Sequence, residues 1–239
     1  MRTPGADFEL AAGFLYGEGV IRDRDEIESI AYCEDSGVDE TRRFNIVNVD
    51  LRSAILPDLD ALQRHFHTTS ACGVCGKTSL DSLRFNAPAP IPAGPELRPE
   101  TLTGLPAKLR AAQGLFSATG GLHAAGLFDE TGAPLAVRED IGRHNAVDKL
   151  VGWAFLTGRL PLSACILMVS GRSSFEILQK AVMAGVPVVC AVSAPSTLAV
   201  SVAREFGVTL IGFLRNERFN VYTGTERLAG MSRAATVRE

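Results

Sequence analysis

The rhythm of hydrophobic and polar positions changes near the middle of the chain. In "DFELAAGFLYGEG", Phe8, Ala11, Ala12 and Leu15 recur at helical spacing behind Asp7, a residue type that caps helices. The pattern predicts a helix capped by Asp7 and closing near Gly17 or Gly19. Two strand-like runs follow, "IESIAYCE" and "RRFNIVNVDL"; in the second, Phe44, Ile46 and Val47 alternate only imperfectly with Asn45 and Asn48. A short helix is expected over "DLDALQRHF".

Residues 87–99, "APAPIPAGPELRP", carry Pro88, Pro90, Pro92, Pro95 and Pro99 and read as a linker. Beyond it come a helix through "LPAKLRAAQGLF", strands at "GGLHAAGLFD" and "PLAVRED", and the helix "GRHNAVDKLVGWAFLTG", with Val147, Leu150, Val151 and Ala154 on one face. The strand "ACILMVSG", helix "SSFEILQKAVMAG", strand "PVVCAVS", helix "PSTLAVSVAREFG" and strand "VTLIGFL" then succeed one another. Unbroken apolar strands alternating with amphipathic helices predict a mostly parallel sheet covered on both faces. The class is α/β. The expected organisation is an N-terminal α+β part over 1–86, the linker over 87–99, a layered domain over 100–228 and a tail over 229–239.

Composition narrows the function classes. A chain of 239 residues with 46% hydrophobic positions can bury a substantial core. Its net charge of −3 gives no whole-chain attraction to nucleic acid or anionic membrane. The longest apolar run, "AVMAGVPVVCAV", is too short to span a bilayer and is broken by Gly185 and Pro187. Asp7 and Glu9 interrupt the first residues, where a signal peptide would need an apolar core. Of the five cysteines, Cys33, Cys165 and Cys190 sit in apolar or strand-like runs, as core thiols of a cytoplasmic protein would.

The other two, Cys72 and Cys75, form a C-x-x-C pair in "TTSACGVCGKTS". Such a pair can hold a metal, cycle through a disulfide or carry sulfur as a persulfide. A dithiol redox site opens a helix after a buried strand; here the approach is polar, and Gly73 and Gly76 favour a mobile loop. Zinc could draw on His65, His67, Cys72 and Cys75, but structural sites usually take their ligand pairs from separate segments. Deaminase chemistry needs H-x-E with P-C-x-x-C, and neither His123 nor Cys72 has that context. A persulfide carrier asks for a thiolate favoured by nearby positive charge, which Lys77 can supply, and for a second thiol that can expel the sulfur.

Three further stretches concentrate polar groups where an α/β sheet places ligands. "VSGRSSFEILQK" offers a capping box from Ser173 to Glu176 and a helix start beside Arg172 that suits an anion. "REDIGRHNAVDK" crowds Arg138, Glu139, Asp140, Arg143, His144, Asn145, Asp148 and Lys149 into a strand-to-helix junction. "GFLRNERFNVYTG" follows the last core strand with guanidiniums for phosphate and rings for a purine. Neither a Walker nor a Rossmann spacing occurs.

The stretches "RTPGADFELAAGFLYGEGVI", "CGVCGK", "TGGLHAAGLF", "REDIGRHNAVDKLVG", "SGRSSFEILQKA", "VSAPSTLAV" and "GFLRNERFNVYTG" together resemble the formate dehydrogenase accessory sulfurtransferases of the FdhD/NarQ family, in family order across almost the whole chain. The resemblance implies a three-layer α/β/α, cytidine deaminase-like domain with a smaller N-terminal α+β part. It implies a sulfurtransferase that takes persulfide sulfur from a cysteine desulfurase and passes it to the molybdenum cofactor, a bis(molybdopterin guanine dinucleotide), for formate dehydrogenase. Cys72 would then be the carrier and Cys75 its helper. Phe213, Leu214, Arg215, Asn216, Glu217 and Arg218 would be the cofactor-binding stretch, where a GDP-like nucleotide could also sit. A cytoplasmic homodimer that binds neither nucleic acid nor membrane is expected. The family's chains carry a few dozen residues, strand-forming segments among them, ahead of the motif that opens this sequence; loss of an edge strand there would expose sheet edge. Two other readings are a dithiol oxidoreductase and a chaperone that only holds the cofactor.

Overall fold

The computed structural model describes residues 1–52, 80, 83–84, 87, 90–91 and 93–230. The first helix, α1, runs over Asp7–Gly17 and leads through a 3₁₀ turn into β1 (Ile27–Tyr32). A short α2 (Glu40–Arg43) and β2 (Val47–Leu51) follow, and β1 pairs antiparallel with β2. The strand expected from Arg42 therefore begins five residues later. Asn45 and Ile46 donate their amides to the Arg42 and Arg43 carbonyls, which keeps that stretch in a turn. The helix expected over "DLDALQRHF" lies outside the described residues.

Past the prolines come α3 (Pro99–Ala111), α4 (Gly114–Thr119), β3 (His123–Phe128), β4 (Pro134–Asp140) and α5 (Arg143–Leu156). The remaining order is β5 (Ile166–Val169), α6 (Phe175–Met183), β6 (Val188–Ala191), α7 (Thr197–Glu205), β7 (Thr209–Arg215) and β8 (Arg218–Thr223). Helix α3 starts earlier than its apolar pattern does because Pro99 occupies the first turn, where a missing N–H is harmless. The end of the expected linker packs down: Leu97 is buried and exchanges backbone hydrogen bonds with Arg227 and Ala229.

Six strands form one sheet in the order β4-β3-β5-β6-β7-β8. In this sheet the parallel pairings are β5–β6 and β6–β7; β3 pairs antiparallel with both β4 and β5, and β8 antiparallel with β7. The sheet is thus mixed rather than mostly parallel. Tight connections decide this, since a short turn can join only antiparallel neighbours. Between β3 and β4, the Asp129 carboxylate accepts from the Thr131 and Ala133 amides and closes such a turn.

Alternate residues of the strands serve two cores. Ile166, Met168, Val188, Cys190 and Ile211 pack with Leu102, Leu105 and Leu109 of α3. Leu167, Val169, Val189, Ala191 and Leu210 pack with residues of α1, α5, α6 and α7 on the opposite face. The result is helix, sheet and helix in three layers. Helices α1 and α5 cross at two glycines: a Cβ on Gly13 would stand 1.9 Å from the Asp148 carbonyl oxygen, and one on Gly152 1.8 Å from that of Glu9. That backbone contact places the N-terminal helix on the main core.

Two expected caps are absent. Ala6 occupies the position before α1 at φ 55°, and the Asp7 carboxylate instead accepts from Arg2 at 2.8 Å and the Tyr32 hydroxyl at 3.0 Å. Ser174, not Ser173, precedes α6, so the Ser173–Glu176 box is out of register by one residue.

Candidate functional site

Strand direction gathers one rim of the sheet. The carboxyl ends of β5, β6 and β7, the end of β4 and the start of antiparallel β3 all lie there. The crowded "REDIGRHNAVDK" junction falls at this rim, and its residues divide by what they touch. Asp140 and Lys149 form a buried ion pair at 2.8 Å, with side chains 0% and 2% exposed. The pair also fixes the N-terminal arm: the Thr3 amide donates to Asp140 at 2.9 Å, and Lys149 donates to the Thr3 carbonyl at 2.8 Å. Burial alone would raise the Asp140 pKa, but donors from Lys149, Gly142, Thr3 and Asn145 hold it below the usual range.

Arg138 pairs with Glu9 at 2.5 Å. Glu139 accepts the Leu115 and Phe116 amides and so closes the start of α4. Asn145 donates to Asp140 and to the Met1 carbonyl. Asp148 meets Lys180 at 2.6 Å, and burial pushes its carboxyl upward against the pull of that ammonium. Of the eight, Arg143 and His144 are the ones engaged with the neighbouring β5–α6 loop.

That loop is Ser170–Ser174. Ser170 ties it to β3, its hydroxyl accepting the Ala124 amide at 2.8 Å. Gly171 lies against two side chains, since a Cβ there would stand 3.4 Å from both Arg143 Cδ and His123 Nδ1. His144 Nε2 and the Ser174 hydroxyl are hydrogen-bonded at 3.0 Å, and Glu176 lies 3.7 Å from the same nitrogen. The Ser174 hydroxyl also hydrogen-bonds the Glu176 carboxylate. Burial, then the Arg143 charge, lowers the His144 pKa to about 4, with Glu176 opposing. His123 is lowered by the same two causes. Both imidazoles are therefore neutral near pH 7. For Glu176, burial would raise the pKa, but the Ser174 hydrogen bond and the charges of His144 and Arg143 bring it down.

Next along the rim, the loop after β6 lies beside the β5 loop: the Ser196 amide donates to the Ser173 carbonyl at 2.9 Å. The expected stretch Phe213–Arg218 follows. It is a hairpin rather than a loop beyond the last strand: β7 ends at Arg215, Asn216 and Glu217 turn, and β8 starts at Arg218. Asn216 sits in the left-handed region at φ 54°, which Asn tolerates better than most side chains. Phe213 is also left-handed, at φ 53°, within a register irregularity, and the residue is 40% exposed. Arg215, Asn216, Glu217 and Arg218 are exposed, and Arg215 anchors to the Val192 carbonyl at 2.9 Å. Leu214 points the other way, fully buried in the core shared with α3.

Cys72 and Cys75, with His65, His67 and Lys77, lie outside the described residues. The other cysteines behave as core thiols. Cys33, Cys165 and Cys190 are buried, and burial raises the pKa of Cys165 and, far more, of Cys190. His123 and Ser174 were not singled out as site residues by sequence. The signal for His123 was its place at a strand start beside paired glycines; Ser174 had only its position inside the Ser173–Glu176 stretch.

A model of the FdhD/NarQ family matches residues 1–229. The chain belongs to the FdhD/NarQ family. It is 56% identical to sulfur carrier protein FdhD of Streptomyces avermitilis, over 98% of this chain and 84% of the relative. It is 52% identical to sulfur carrier protein FdhD of Mycobacterium tuberculosis, over 95% of this chain and 84% of the relative. A solved structure described as a formate dehydrogenase accessory protein from Desulfotalea psychrophila matches with a TM-score of 0.70 at 26% identity. That match covers 95% of this chain and 82% of the other. Among the described residues, no helix is long and apolar enough to cross a membrane.

Proposed function

We propose that this FdhD/NarQ chain carries sulfur from a cysteine desulfurase to the bis(molybdopterin guanine dinucleotide) molybdenum cofactor that formate dehydrogenase uses. The observation that carries the reading is family membership along nearly the whole length, among relatives named sulfur carriers, with a C-x-x-C pair in the sequence. The Cys72 thiolate attacks the outer sulfur of a donor persulfide; the donor S–S bond breaks, its thiolate leaves, and Cys72 holds the persulfide. Cys75 then attacks the inner sulfur, forms a disulfide with Cys72 and releases the carried atom as sulfide for the metal. The two electrons that reduce the sulfur come from the thiols, and a dithiol reductant restores them.

The rim supports an acceptor side for this transfer. Exposed guanidiniums at Arg215 and Arg218 suit phosphate, and the outward ring of Phe213 suits a purine face. A large side chain held in the left-handed region is a conformation that proteins keep chiefly at functional sites. Complementation tests the reading. In cells lacking the native protein, Cys72→Ala abolishes formate dehydrogenase activation, while the purified variant still binds GDP; full activation by the variant would leave only a cofactor-holding role.

A further inference from the structure

Arg143 stands where a cation is least welcome. It is the first residue of the 14-residue helix α5, at the positive end of the helix dipole, and that first turn holds no acidic residue. Its half-buried side chain makes no hydrogen bond or ion pair among the described residues, and its Nε is fully buried without a partner. Helix α6 starts beside it, through the Gly171–Arg143 and His144–Ser174 contacts. The residues that precede these helices, Gly142 and Ser174, do not cap them with a side chain. Ser173, at the entrance to α6, is 0% exposed and its hydroxyl also lacks a partner. Arg172 next to it is exposed. Glu176 is the nearby acid, and it is engaged by Ser174 and by its own backbone amide.

Among the described residues, a guanidinium and a buried hydroxyl without hydrogen-bond partners stand at two converging helix starts, beside a Glu176 carboxylate that is already engaged. We infer that the junction of Arg143 with the Arg172–Ser174 loop is a binding site for the phosphoryl groups of a nucleoside diphosphate-type ligand. The site deepens the proposed cofactor reading and rests on it only for the ligand's identity. The strand order fits: β5 and β7 are separated by β6 alone, so the strand ends that carry the Arg172–Ser174 loop and the hairpin are about 10 Å apart, two interstrand spacings. A base against Phe213 would direct its ribose and diphosphate along the rim towards Arg143.

Calorimetric titration of the full chain with inorganic pyrophosphate, GDP and guanosine tests the site. Pyrophosphate and GDP bind the parent chain, and Arg143→Gln weakens both by about tenfold or more, as loss of a charge-assisted contact does, while guanosine is unaffected. Ser173→Ala weakens pyrophosphate and GDP but raises thermal stability, because it removes an unpaired buried hydroxyl. In the parent, pyrophosphate raises the titration midpoint of His144, since the anion screens Arg143. Failure of pyrophosphate to bind, or unchanged binding in both variants, overturns the site. Sulfur loading of Cys72 is read separately by mass. A chain that loads sulfur but ignores Arg143→Gln defeats the site alone; one that binds pyrophosphate through Arg143 but never loads sulfur defeats the transfer reading alone.

Discussion

Lys149 and Asp140 form an ion pair, 2.8 Å apart and almost wholly buried, that holds Thr3 from opposite sides. The pair ties the first residues of the chain to the helix start that carries Arg143. Replacing Lys149 by Ala strands a buried carboxylate. We expect a loss of about 3–5 kcal/mol in unfolding free energy, measured by denaturant titration, as for other half-broken buried pairs. A variant as stable as the parent would show that the arm is held by other contacts.

Glycine at the α1–α5 crossing is required by space. Gly13→Ala would put a methyl 1.9 Å from the Asp148 carbonyl oxygen, so the helices must part; the expected cost exceeds about 3 kcal/mol, beyond ordinary overpacking. Gly104→Ala in α3 is the contrast. Its Cβ would meet nothing closer than 3.9 Å, and helix propensity should raise stability by about 0.5–1 kcal/mol.

The hairpin separates contact from support. Arg215→Gln and Arg218→Gln should each weaken GDP binding while leaving the melting temperature within a degree or two, since both side chains are exposed. Leu214→Ala should do the reverse at first order, costing about 2–5 kcal/mol of stability as a buried leucine in the α3-facing core. Equal effects of all three on the fold would remove the distinction.

Acid should weaken this rim. His144 is depressed to about 4, so between there and its ordinary value near 6.5 the unfolded chain binds the extra proton and stability falls as pH falls. Below the depressed value both states are protonated and the loss is complete. The side chain is 36% exposed, so solvent screens part of the effect. Arg143, Glu176, Lys180 and His123 all act on the ring, and Glu176 opposes the shift. NMR titration should place the His144 midpoint well below that of an exposed histidine, and His144→Gln should flatten the acid limb of the stability curve. A midpoint near 6.5 would contradict the geometry.

Much of this architecture was legible because its strands are unbroken apolar runs between amphipathic helices; β4 occupies the "PLAVRED" stretch from end to end. Strand direction was not legible, because apolarity reports burial and not orientation. Direction follows from the short turns at Asp129–Ala133 and Asn216–Glu217. Strand β8 was missed because it is an edge strand with Val221 as its one buried residue, joined by a turn without glycine. The polar crowd around Arg143 was visible as a crowd. Which members were consumed by buried pairs depended on Thr3, Glu9 and Lys180, partners 137, 129 and 32 residues away.

The central claim is that Cys72 carries sulfur, and intact-mass measurement tests it most directly. The chain is mixed with a cysteine desulfurase and cysteine, then weighed with and without a thiol reductant. The account predicts a reducible gain of one sulfur atom in the parent and in Arg143→Gln, and no gain in Cys72→Ala. No gain in the parent, or a gain that survives in Cys72→Ala, would contradict it.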